Sequence, residues 1–296
     1  MITVCIPVYN VDVSALAAAL KSQAEGISAE IILIDDASEP GYREINSALQ
    51  DERIQYHELE KNIGRAKIRN LFTKHANDDH LLFLDCDSVV FSENFLSDYA
   101  AALKEHPGHV ICGGRIYEPK PPKRSKRLHW KYGIRKESQP VNVRRQEPNR
   151  SFMTNNFLIP IQILRDIPFN ENLSGYGHED SLFGYDLSRN GHNILHIDNP
   201  VLHGDLQTNR EFLDKTKEAV HNLVRITDML EDDPGFFDSI TLLRTVQNIE
   251  KRKLAGILRT VSFCTIRLFK GILSLGCASL KLLDAYKLGL YLRLKK

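Results

Sequence analysis

Residues 80–87, His-Leu-Leu-Phe-Leu-Asp-Cys-Asp, decide how the rest of the chain is interpreted. Apolar residues lead directly into Asp85 and Asp87, and a short, wholly apolar run is typical of a buried strand. Two side chains at i and i+2 of an extended chain point to the same side. The stretch therefore predicts a pair of carboxylates at a strand end, which suits Mg²⁺ or Mn²⁺. The alternative is that acids simply occur where a buried strand reaches a loop.

Strand-like and helical segments alternate along the first 117 residues. The predicted strands are 3–10, 30–36, 54–59, 81–85 and 110–117. Helices are predicted at 13–24, 42–49 and 92–104, and the segment 62–70 enters a further helix that continues to about residue 75. This alternation predicts βαβ units and a mainly parallel α/β sheet. Ligands of such sheets bind outside the carboxyl ends of the strands. Three of those ends carry polar residues (Tyr9-Asn10, Asp35-Asp36 and Asp85 with Asp87), so the pattern predicts a site at this edge.

The chain is nearly neutral, but its charge is unevenly distributed. The net charge of +1 over 296 residues gives no general bias toward nucleic acid. Residues 251–296 carry eleven Lys/Arg and one acid, whereas residues 1–250 have a net charge of −9. Five scattered cysteines without a Cys-x-x-Cys pair argue against a zinc knuckle and suit a reducing cytosol. We identify no signal peptide and no apolar run that could span a bilayer, and therefore expect a cytoplasmic protein.

Residues 118–150 interrupt the alternation. Between Lys120 and Arg150 there are eleven Lys/Arg and two Glu, and prolines are frequent. We treat the segment as a basic loop insertion, either a solvated surface excursion or a mobile flap over an anionic substrate. Trp130 and Tyr132 would then be able to stack on a sugar or a base. A nucleic-acid site is disfavoured because the rest of the body is acidic.

The remaining chain predicts further strands and then helices. Strand-like segments are 151–159, 192–197 and 200–203, and Glu179 and Asp180 fall near the start of a helix. A helix is predicted over 210–230, followed by helical sequence to the end. We therefore divide the chain into a domain of residues 1–208 and a C-terminal helical region of residues 209–296.

Five motifs together resemble those of the family 2 glycosyltransferases, which have the Rossmann-like GT-A fold. They follow the family's order and approximate spacing and are Ile6-Pro-Val-Tyr-Asn10, Asp35-Asp-Ala-Ser38, Asn62-Ile-Gly-Arg-Ala-Lys-Ile-Arg-Asn70, Leu84-Asp-Cys-Asp87 and Gly177-His-Glu-Asp180. The resemblance covers residues 1–205. It implies inverting transfer of a sugar from a nucleotide diphosphate, most often UDP, with a divalent metal at the Asp-X-Asp motif.

The resemblance also assigns roles to individual residues. It implies metal contacts from Asp85, Asp87 and His203, and it makes Asp180 the base that accepts the acceptor hydroxyl's proton, with Glu179 able to share or replace it. Nucleotide or donor contacts are implied for Pro7, Tyr9, Asp35, Asp36, Asn62, Arg65, Arg69, Asp85 and Asn156, with Asn155 beside the last. Four of these assignments have a plainer alternative: packing for Tyr9, a loop histidine for His203, an exposed helix face for the two arginines, and first-turn helix acids stabilised by the helix dipole for Glu179 and Asp180.

Two other functions remain open from the sequence. A sugar-phosphate nucleotidyltransferase would be expected to have a Gly-rich loop after the first strand, and Tyr9–Ser14 contains no glycine. A non-catalytic nucleotide-binding module would have no need to retain Asp85, Asp87 and Asp180 together. The chain also lacks the Gln-x-x-Arg-Trp motif and the membrane spans of processive synthases. These features favour a single-addition enzyme that acts on a saccharide or lipid-linked saccharide, in the synthesis of a surface polysaccharide or glycolipid.

The C-terminal region has apolar residues at helical spacing between bases. They are Leu254, Ile257, Leu258, Val261, Thr265, Leu268, Phe269, Ile272 and Leu273. A cationic amphipathic helix of this kind lies in the interface of an anionic membrane. We therefore leave open a peripheral attachment to the inner face of the cytoplasmic membrane through residues 251–296. The alternative is that the apolar face packs on the catalytic domain or on a second subunit, and the oligomeric state is also open.

Overall fold

A computed structural model describes residues 1–173, 175–230 and 233–295, so predictions for Ser174, Glu231, Asp232 and Lys296 lie outside the described residues. The chain forms two compact units. The first comprises Met1–Glu118, Ser138–Ser174 and Asp186–Asp205, and the second comprises Pro119–Glu137, Gly175–Tyr185 and Leu206–Lys296. The predicted division at residue 208 stays a prediction, because both units are assembled from segments that are separate in sequence.

The strands of the described residues all belong to the first unit. They are β1 Ile2–Val8, β2 Ala29–Asp35, β3 Ile54–Glu58, β4 His80–Leu84, β5 Ser88–Val89, β6 Ile111–Cys112, β7 Arg115–Ile116, β8 Asn156–Pro160, β9 Leu195–His196 and β10 Val201–His203. Seven of them form one sheet in the order β3-β2-β1-β4-β8-β6-β9, and β5-β10-β7 form a second. Only β8 runs antiparallel to its neighbours in the large sheet. The predicted α/β class with a mainly parallel sheet is therefore confirmed.

The helices follow the same chain order. They are α1 Ser14–Ala24, α2 Pro40–Ser47, α3 Arg65–His75, α4 Phe95–Glu105, α5 Arg127–Tyr132, α6 Val141–Arg144, α7 Ile161–Asp166, α8 Glu179–Arg189, α9 Asn209–Met229, α10 Pro234–Ser239, α11 Thr241–Lys251, α12 Ala255–Ser274 and α13 Leu280–Leu294.

Strand β4 shows why the central sheet is buried on both faces. Successive side chains of a strand point to opposite faces. Leu82 and Leu84 therefore join the core cluster that includes Phe95 of α4. Phe83 points to the other face, where its ring lies 5.5 Å from that of Phe72 in α3. Because side chains pack on both faces of β4, the strand is held in place, and so is the point at which the acidic residues after it begin.

Two segments differ from their predictions. The strand predicted over 110–117 is divided into β6 and β7, because Gly113 and Gly114 come between them and Gly114 has a φ of 94°. The segment predicted as a basic loop, 118–150, is largely helical, with α5, α6, a 3₁₀ turn at Arg124–Lys126 and a π-helical turn at Gly133–Glu137.

Buried residues explain the helical structure of this segment. In the second unit, the His129 ring stacks on Phe212 of α9 with a centroid distance of 4.8 Å. In the first unit, the buried guanidinium of Arg144 donates to the carbonyl oxygens of Cys112, Gly113 and Ile197. The segment is therefore basic in composition, yet some of its side chains are buried in apolar or hydrogen-bonded contacts. Other residues of the segment are exposed.

The second unit is helical. Its longest helix, α9, begins with a capping box in which Thr208 Oγ1 accepts from the Glu211 amide and Glu211 accepts from the Thr208 amide. This pairing satisfies two amide groups that the first helical turn would leave unpaired. Helix α9 contacts α5, α12 and α13, and its buried residues include Leu213 and Leu223. The helix predicted over 210–230 is thus confirmed.

Candidate active site

The acidic residues at the end of β4 lie in a turn. The Ser88 amide donates to the carbonyl oxygen of Asp85 across 3.0 Å, and Asp85, Cys86 and Asp87 connect β4 to β5. The prediction that both carboxylates sit on extended chain is therefore wrong in its local geometry. The reversal of the chain, rather than the two-residue repeat of a strand, determines where the two side chains point.

Asp85 is held by two arginines of the first unit. Its Oδ1 lies 3.1 Å from Arg69, and its Oδ2 lies 3.1 Å from Arg115. Burial raises the pKa of the Asp85 carboxyl, but the nearby guanidinium groups outweigh this effect and hold the pKa below its usual range. Asp85 is thus an anion whose two oxygens are already paired.

Asp87 has a different electrostatic environment. Burial, together with the neighbouring negative charge of Asp85, raises the pKa of Asp87 to about 6. Its Oδ2 lies 3.4 Å from Nδ1 of His203, which β10 places beside Ser88 of β5. A bound cation would relieve the electrostatic cost of ionising Asp87 in this buried position.

The donor set beside Asp87 fits a divalent cation. A carboxylate oxygen and an imidazole nitrogen are both ligands that Mn²⁺ accepts, whereas Mg²⁺ prefers oxygen. Throughout residues 1–173, 175–230 and 233–295, however, no group of three His, Cys, Asp or Glu side chains forms a complete metal site. Asp87 and His203 therefore offer part of a coordination sphere, which suits an ion that also binds substrate phosphates.

A cavity of about 390 Å³ opens beside this turn, within the first unit. Asn10, at the end of β1, and Tyr42, on α2, lie on its wall together with Asp87 and Asp205. This volume falls in the range of small-molecule pockets. The cavity lies outside the carboxyl ends of β1 and β4, the edge at which parallel sheets bind ligands.

The predicted nucleotide residues on β1 and β2 fall into two groups. Tyr9 is about half exposed, and it directly precedes Asn10, which adopts a φ of 53°. Asp35 and Asp36 are instead buried, and their carboxylates accept hydrogen bonds from backbone amides. Asp35 accepts from the Ser38 amide across 2.6 Å.

Asp36 connects β2 to the segment that enters α3. It accepts from the amides of Ile63 (2.6 Å) and Gly64 (3.1 Å), while the Asn62 side chain donates to the carbonyl oxygen of Asp36. Burial raises the pKa of Asp36, and the two amide hydrogen bonds lower it, with a net shift upward. Asp36 and Asn62 thus fix the loop before α3, at the edge where the ligand would bind.

Pro7, Arg65 and Arg69 have distinct positions. Pro7 lies one residue before the end of β1 and pairs only with β2, since the pairing with β4 reaches no further than Cys5.

Arg65 begins α3 and is exposed, whereas Arg69 is 2% exposed and bound to Asp85. Of the two arginines predicted to share one face, only Arg65 is therefore accessible to a ligand.

Asn155 and Asn156 are both buried, but their polar atoms differ. The Asn156 side chain donates to the carbonyl oxygens of Gly114 and Asn199 and accepts from the Tyr99 hydroxyl. It has no polar group left to donate to a substrate in this arrangement. Within the described residues, neither polar side-chain atom of Asn155 has a hydrogen-bond partner. Buried polar groups are rarely left in this state unless something else binds them.

Glu179 and Asp180 begin α8 and belong to the second unit. Glu179 Oε2 accepts from the Gly177 amide across 3.0 Å, and Asp180 Oδ1 accepts from the Ser181 amide across 2.7 Å. Burial and the adjacent Glu179 charge raise the pKa of Asp180 to about 6. Asp180 therefore has the protonation behaviour of a general base that works near neutral pH.

The backbone before these acids is constrained. Gly175, Gly177 and His178 all have positive φ values (84°, 99° and 65°). Asn222 of α9 donates to the carbonyl oxygens of both Tyr176 and Gly177. Helix α9 thus holds the loop that delivers Asp180.

Two residues of the site were not identified from the sequence. Arg115 pairs with Asp85 from β7, and Asp205 lines the cavity just after β10. Both depend on the small β5-β10-β7 sheet, whose strands have two or three residues each. Strands this short have no periodicity that would predict their pairing.

The large, mainly parallel sheet with helices on both faces is the fold of the GT-A glycosyltransferases. The profile of "Glycosyl transferase family 2" matches residues 3–168, more than half of the chain. The chain belongs to this family, and it is accordingly an enzyme that transfers a sugar from a nucleotide-sugar donor. A comparison with curated protein sequences finds no match.

Solved structures of three glycosyltransferases are similar in fold. Staphylococcus aureus TarS residues 1–349 in complex with UDP is 19% identical, with a TM-score of 0.52 over 97% of this chain and 89% of that one. Glucosyl-3-phosphoglycerate synthase from Mycobacterium tuberculosis, with Mn²⁺, UDP and glucosyl-3-phosphoglycerate, is 15% identical (TM-score 0.53; 76% and 79% covered). The mannosyltransferase PcManGT from Pyrobaculum calidifontis, with GDP-Man and Mn²⁺, is 13% identical (TM-score 0.53; 98% and 87% covered).

Proposed function

We propose that the protein is an inverting, single-addition glycosyltransferase that moves a sugar from a UDP-sugar to a hydroxyl of a saccharide or lipid-linked saccharide. The observation that carries the proposal is the cavity beside Asp87, at the carboxyl ends of β1 and β4. UDP is proposed over GDP because the TarS and glucosyl-3-phosphoglycerate synthase structures contain UDP, although PcManGT contains GDP-Man.

The donor would bind at the edge of the sheet described above. Tyr9 is exposed there and offers its ring to the nucleobase. Arg65, exposed at the start of α3, would pair with the diphosphate. Pro7, Asp35, Asp36 and Asn62 would support this edge through the backbone, and Arg69 would act by holding Asp85.

Asp87 and His203 would hold a divalent cation, and Asp85 would hold the turn and add negative potential. When bound, the cation would stabilise the charge that develops on the departing diphosphate. We propose Mn²⁺ rather than Mg²⁺ because one of the two groups is an imidazole. Two of the structural relatives contain Mn²⁺, which is consistent with this choice.

Asp180 would act as the general base. The acceptor hydroxyl oxygen attacks the anomeric carbon as the bond from that carbon to the diphosphate oxygen breaks, and the hydroxyl proton moves to the Asp180 carboxylate. Attack opposite the leaving group inverts the anomeric configuration. Glu179, which accepts from the Gly177 amide, would position the loop, while Asn155 would meet the donor sugar in preference to Asn156.

The substitution Asp180→Asn tests this assignment, with Asp186→Asn on the same helix as a matched control. UDP affinity in the presence of Mn²⁺ is measured by calorimetry, and sugar transfer is measured separately. Asp180→Asn should retain UDP affinity and lose transfer, and Asp186→Asn should retain both. Transfer that survives Asp180→Asn would show that Asp180 is not the base. Failure of the unmodified protein to bind UDP or GDP would contradict the donor assignment.

A further inference from the structure

Helix α12 presents an apolar face that the second unit leaves uncovered. The large apolar residues of this face are Leu254, Ile257, Val261, Leu268, Ile272 and Leu275, and they define the α12 surface. Ile257 is 64% exposed, Leu268 is 59% exposed and Leu275 is 73% exposed. Their spacing of three, four or seven residues places them along one side of the helix. A different side of α12, which includes Ile266 and Leu273, is buried.

The charged residues of the segment that carries the α12 surface are all basic, although Lys270 is paired with Asp214 of α9. Residues 251–281 contain seven Lys/Arg and no Asp or Glu. The second unit as a whole has 24 Lys/Arg and 13 Asp/Glu, a net charge of +11, whereas the first unit has 15 and 25, a net charge of −10. The exposed apolar residues therefore lie on the unit that attracts anions.

We propose that the α12 surface docks the protein on an anionic lipid bilayer, with α12 lying in the plane of the interface. Helix α12 has 20 residues and is therefore about 30 Å long. A helix of this length with one apolar side and bases on other sides is typical of interfacial binding. In the described part of the chain, no helix is both long and apolar enough to cross a bilayer.

The positive charge favours a lipid bilayer over a second copy of this chain as the partner of the α12 surface. If two α12 surfaces packed on each other, exposed bases such as Lys253 and Arg267 would approach their copies without an acid from the same segments to pair with them. Anionic headgroups neutralise these bases, and each base near such a membrane strengthens binding about five-fold. The inference does not depend on the proposed function, because lipid binding is measured without turnover.

The experiment uses the full chain and vesicles of phosphatidylcholine, with and without about one-third of the anionic lipid phosphatidylglycerol. Binding is measured by flotation at low and at high salt. Leu268→Gln with Leu275→Gln removes apolar contact, and Lys253→Gln with Arg267→Gln removes charge. The matched controls are Ile45→Gln and Lys104→Gln, at an exposed apolar residue and an exposed base of the first unit. Because the substituted residues are exposed, circular dichroism should show unchanged helix content.

We expect binding to anionic vesicles that weakens with salt and at least ten-fold weaker partitioning for both α12 double variants, with the controls unchanged. Equal binding to neutral vesicles, no binding to either kind, or unchanged binding by the double variants would overturn the proposal. A dimer in sedimentation equilibrium that Leu268→Gln with Leu275→Gln dissociates would also overturn it, because a second copy would then cover the α12 surface.

Discussion

Gly177 packs against Ala219 of α9 so closely that a Cβ at Gly177 would overlap the Cβ of Ala219 and lie 2.9 Å from its Cα. Asn222, which also lies on α9, donates to the carbonyl oxygens of Tyr176 (3.3 Å) and Gly177 (3.2 Å) in this loop. Asp180 follows three residues later. The position of the proposed base therefore depends on how tightly this loop fits α9, a helix distant in sequence.

Substituting Gly177→Ala should lower kcat by at least ten-fold while leaving UDP affinity unchanged, because the loop must move away from Ala219. Gly175→Ala is the matched control: Gly175 also has a positive φ (84°), but apart from its chain neighbours no described residue lies closer than 3.9 Å to its Cβ position. Both changes carry the cost of a left-handed residue, about 1–2 kcal/mol. Ala219→Gly should recover part of the activity of Gly177→Ala. Equal losses for Gly175→Ala and Gly177→Ala would show that the contact has no role.

The pH dependence of kcat should report the raised pKa of Asp180. The base must be ionised, so kcat should fall about ten-fold per pH unit below about 6. Because Asp87 also has a pKa of about 6, nucleotide binding at saturating Mn²⁺ is measured at pH 5.5 and 7.5 as a control. A kcat that stays constant down to pH 5 would contradict a base with this pKa.

Asp180 should also lower the stability of the fold at neutral pH. Its pKa is near 3.8 in the unfolded chain and about 6 in the folded protein, so the folded state binds the proton more tightly. This tighter proton binding stabilises the folded state fully below pH 3.8, and the stabilisation is lost as the pH rises through about 6. In urea unfolding, the gain in stability from Asp180→Asn should therefore increase by about 2–3 kcal/mol between pH 4 and pH 7. A gain that is the same at both values would show that Asp180 ionises normally.

Substitutions of Arg65 and Arg69 should affect different properties, donor binding for Arg65 and stability for Arg69. Arg69 is buried on Asp85, so Arg69→Ala leaves a buried carboxylate with one fewer partner and should cost about 3 kcal/mol of unfolding free energy. Arg65 is exposed, so Arg65→Ala should change stability by less than about 0.5 kcal/mol. It should instead raise the donor KM about ten-fold, through loss of a charge-assisted contact. The opposite assignment of the two effects would contradict the proposed positions.

The neighbouring asparagines provide a second matched pair. Asn156→Ala removes a side chain that makes three internal hydrogen bonds and should destabilise the protein by about 2–4 kcal/mol. Asn155→Ala removes polar atoms that have no hydrogen-bond partner among the described residues, and it should cost less than about 1 kcal/mol. Transfer by the folded Asn155→Ala variant should nevertheless fall by at least ten-fold. Normal transfer by this variant would remove Asn155 from the donor site.

Much of the first unit follows from local sequence. The apolar runs of β1, β2 and β4 are long enough to identify as buried strands, and parallel strands bring their carboxyl ends to one edge. The approach of Asp85 and Asp87 to that edge could therefore be predicted. Their turn geometry could not, because an apolar run shows that a strand exists but gives no signal for the conformation that follows it.

The remaining features depend on contacts between residues that are distant in sequence. Arg115 reaches Asp85 because β7 pairs with β10, some 85 residues further along the chain. His129 and Arg144 lie in a segment whose bases and prolines predict a loop, yet both are buried against partners elsewhere. Arg69 is likewise buried where it pairs with Asp85, sixteen residues further along the chain.

The most direct test of the proposed donor and cation site is nucleotide release from a panel of UDP- and GDP-sugars, with Mn²⁺, with Mg²⁺ and with EDTA. We expect release of UDP from one sugar donor, fastest with Mn²⁺ and abolished by EDTA. We also expect Asp87→Ala to behave in Mn²⁺ as the unmodified protein does in EDTA. Release that is equally fast in EDTA, or retained in full by Asp87→Ala, would contradict the proposed site.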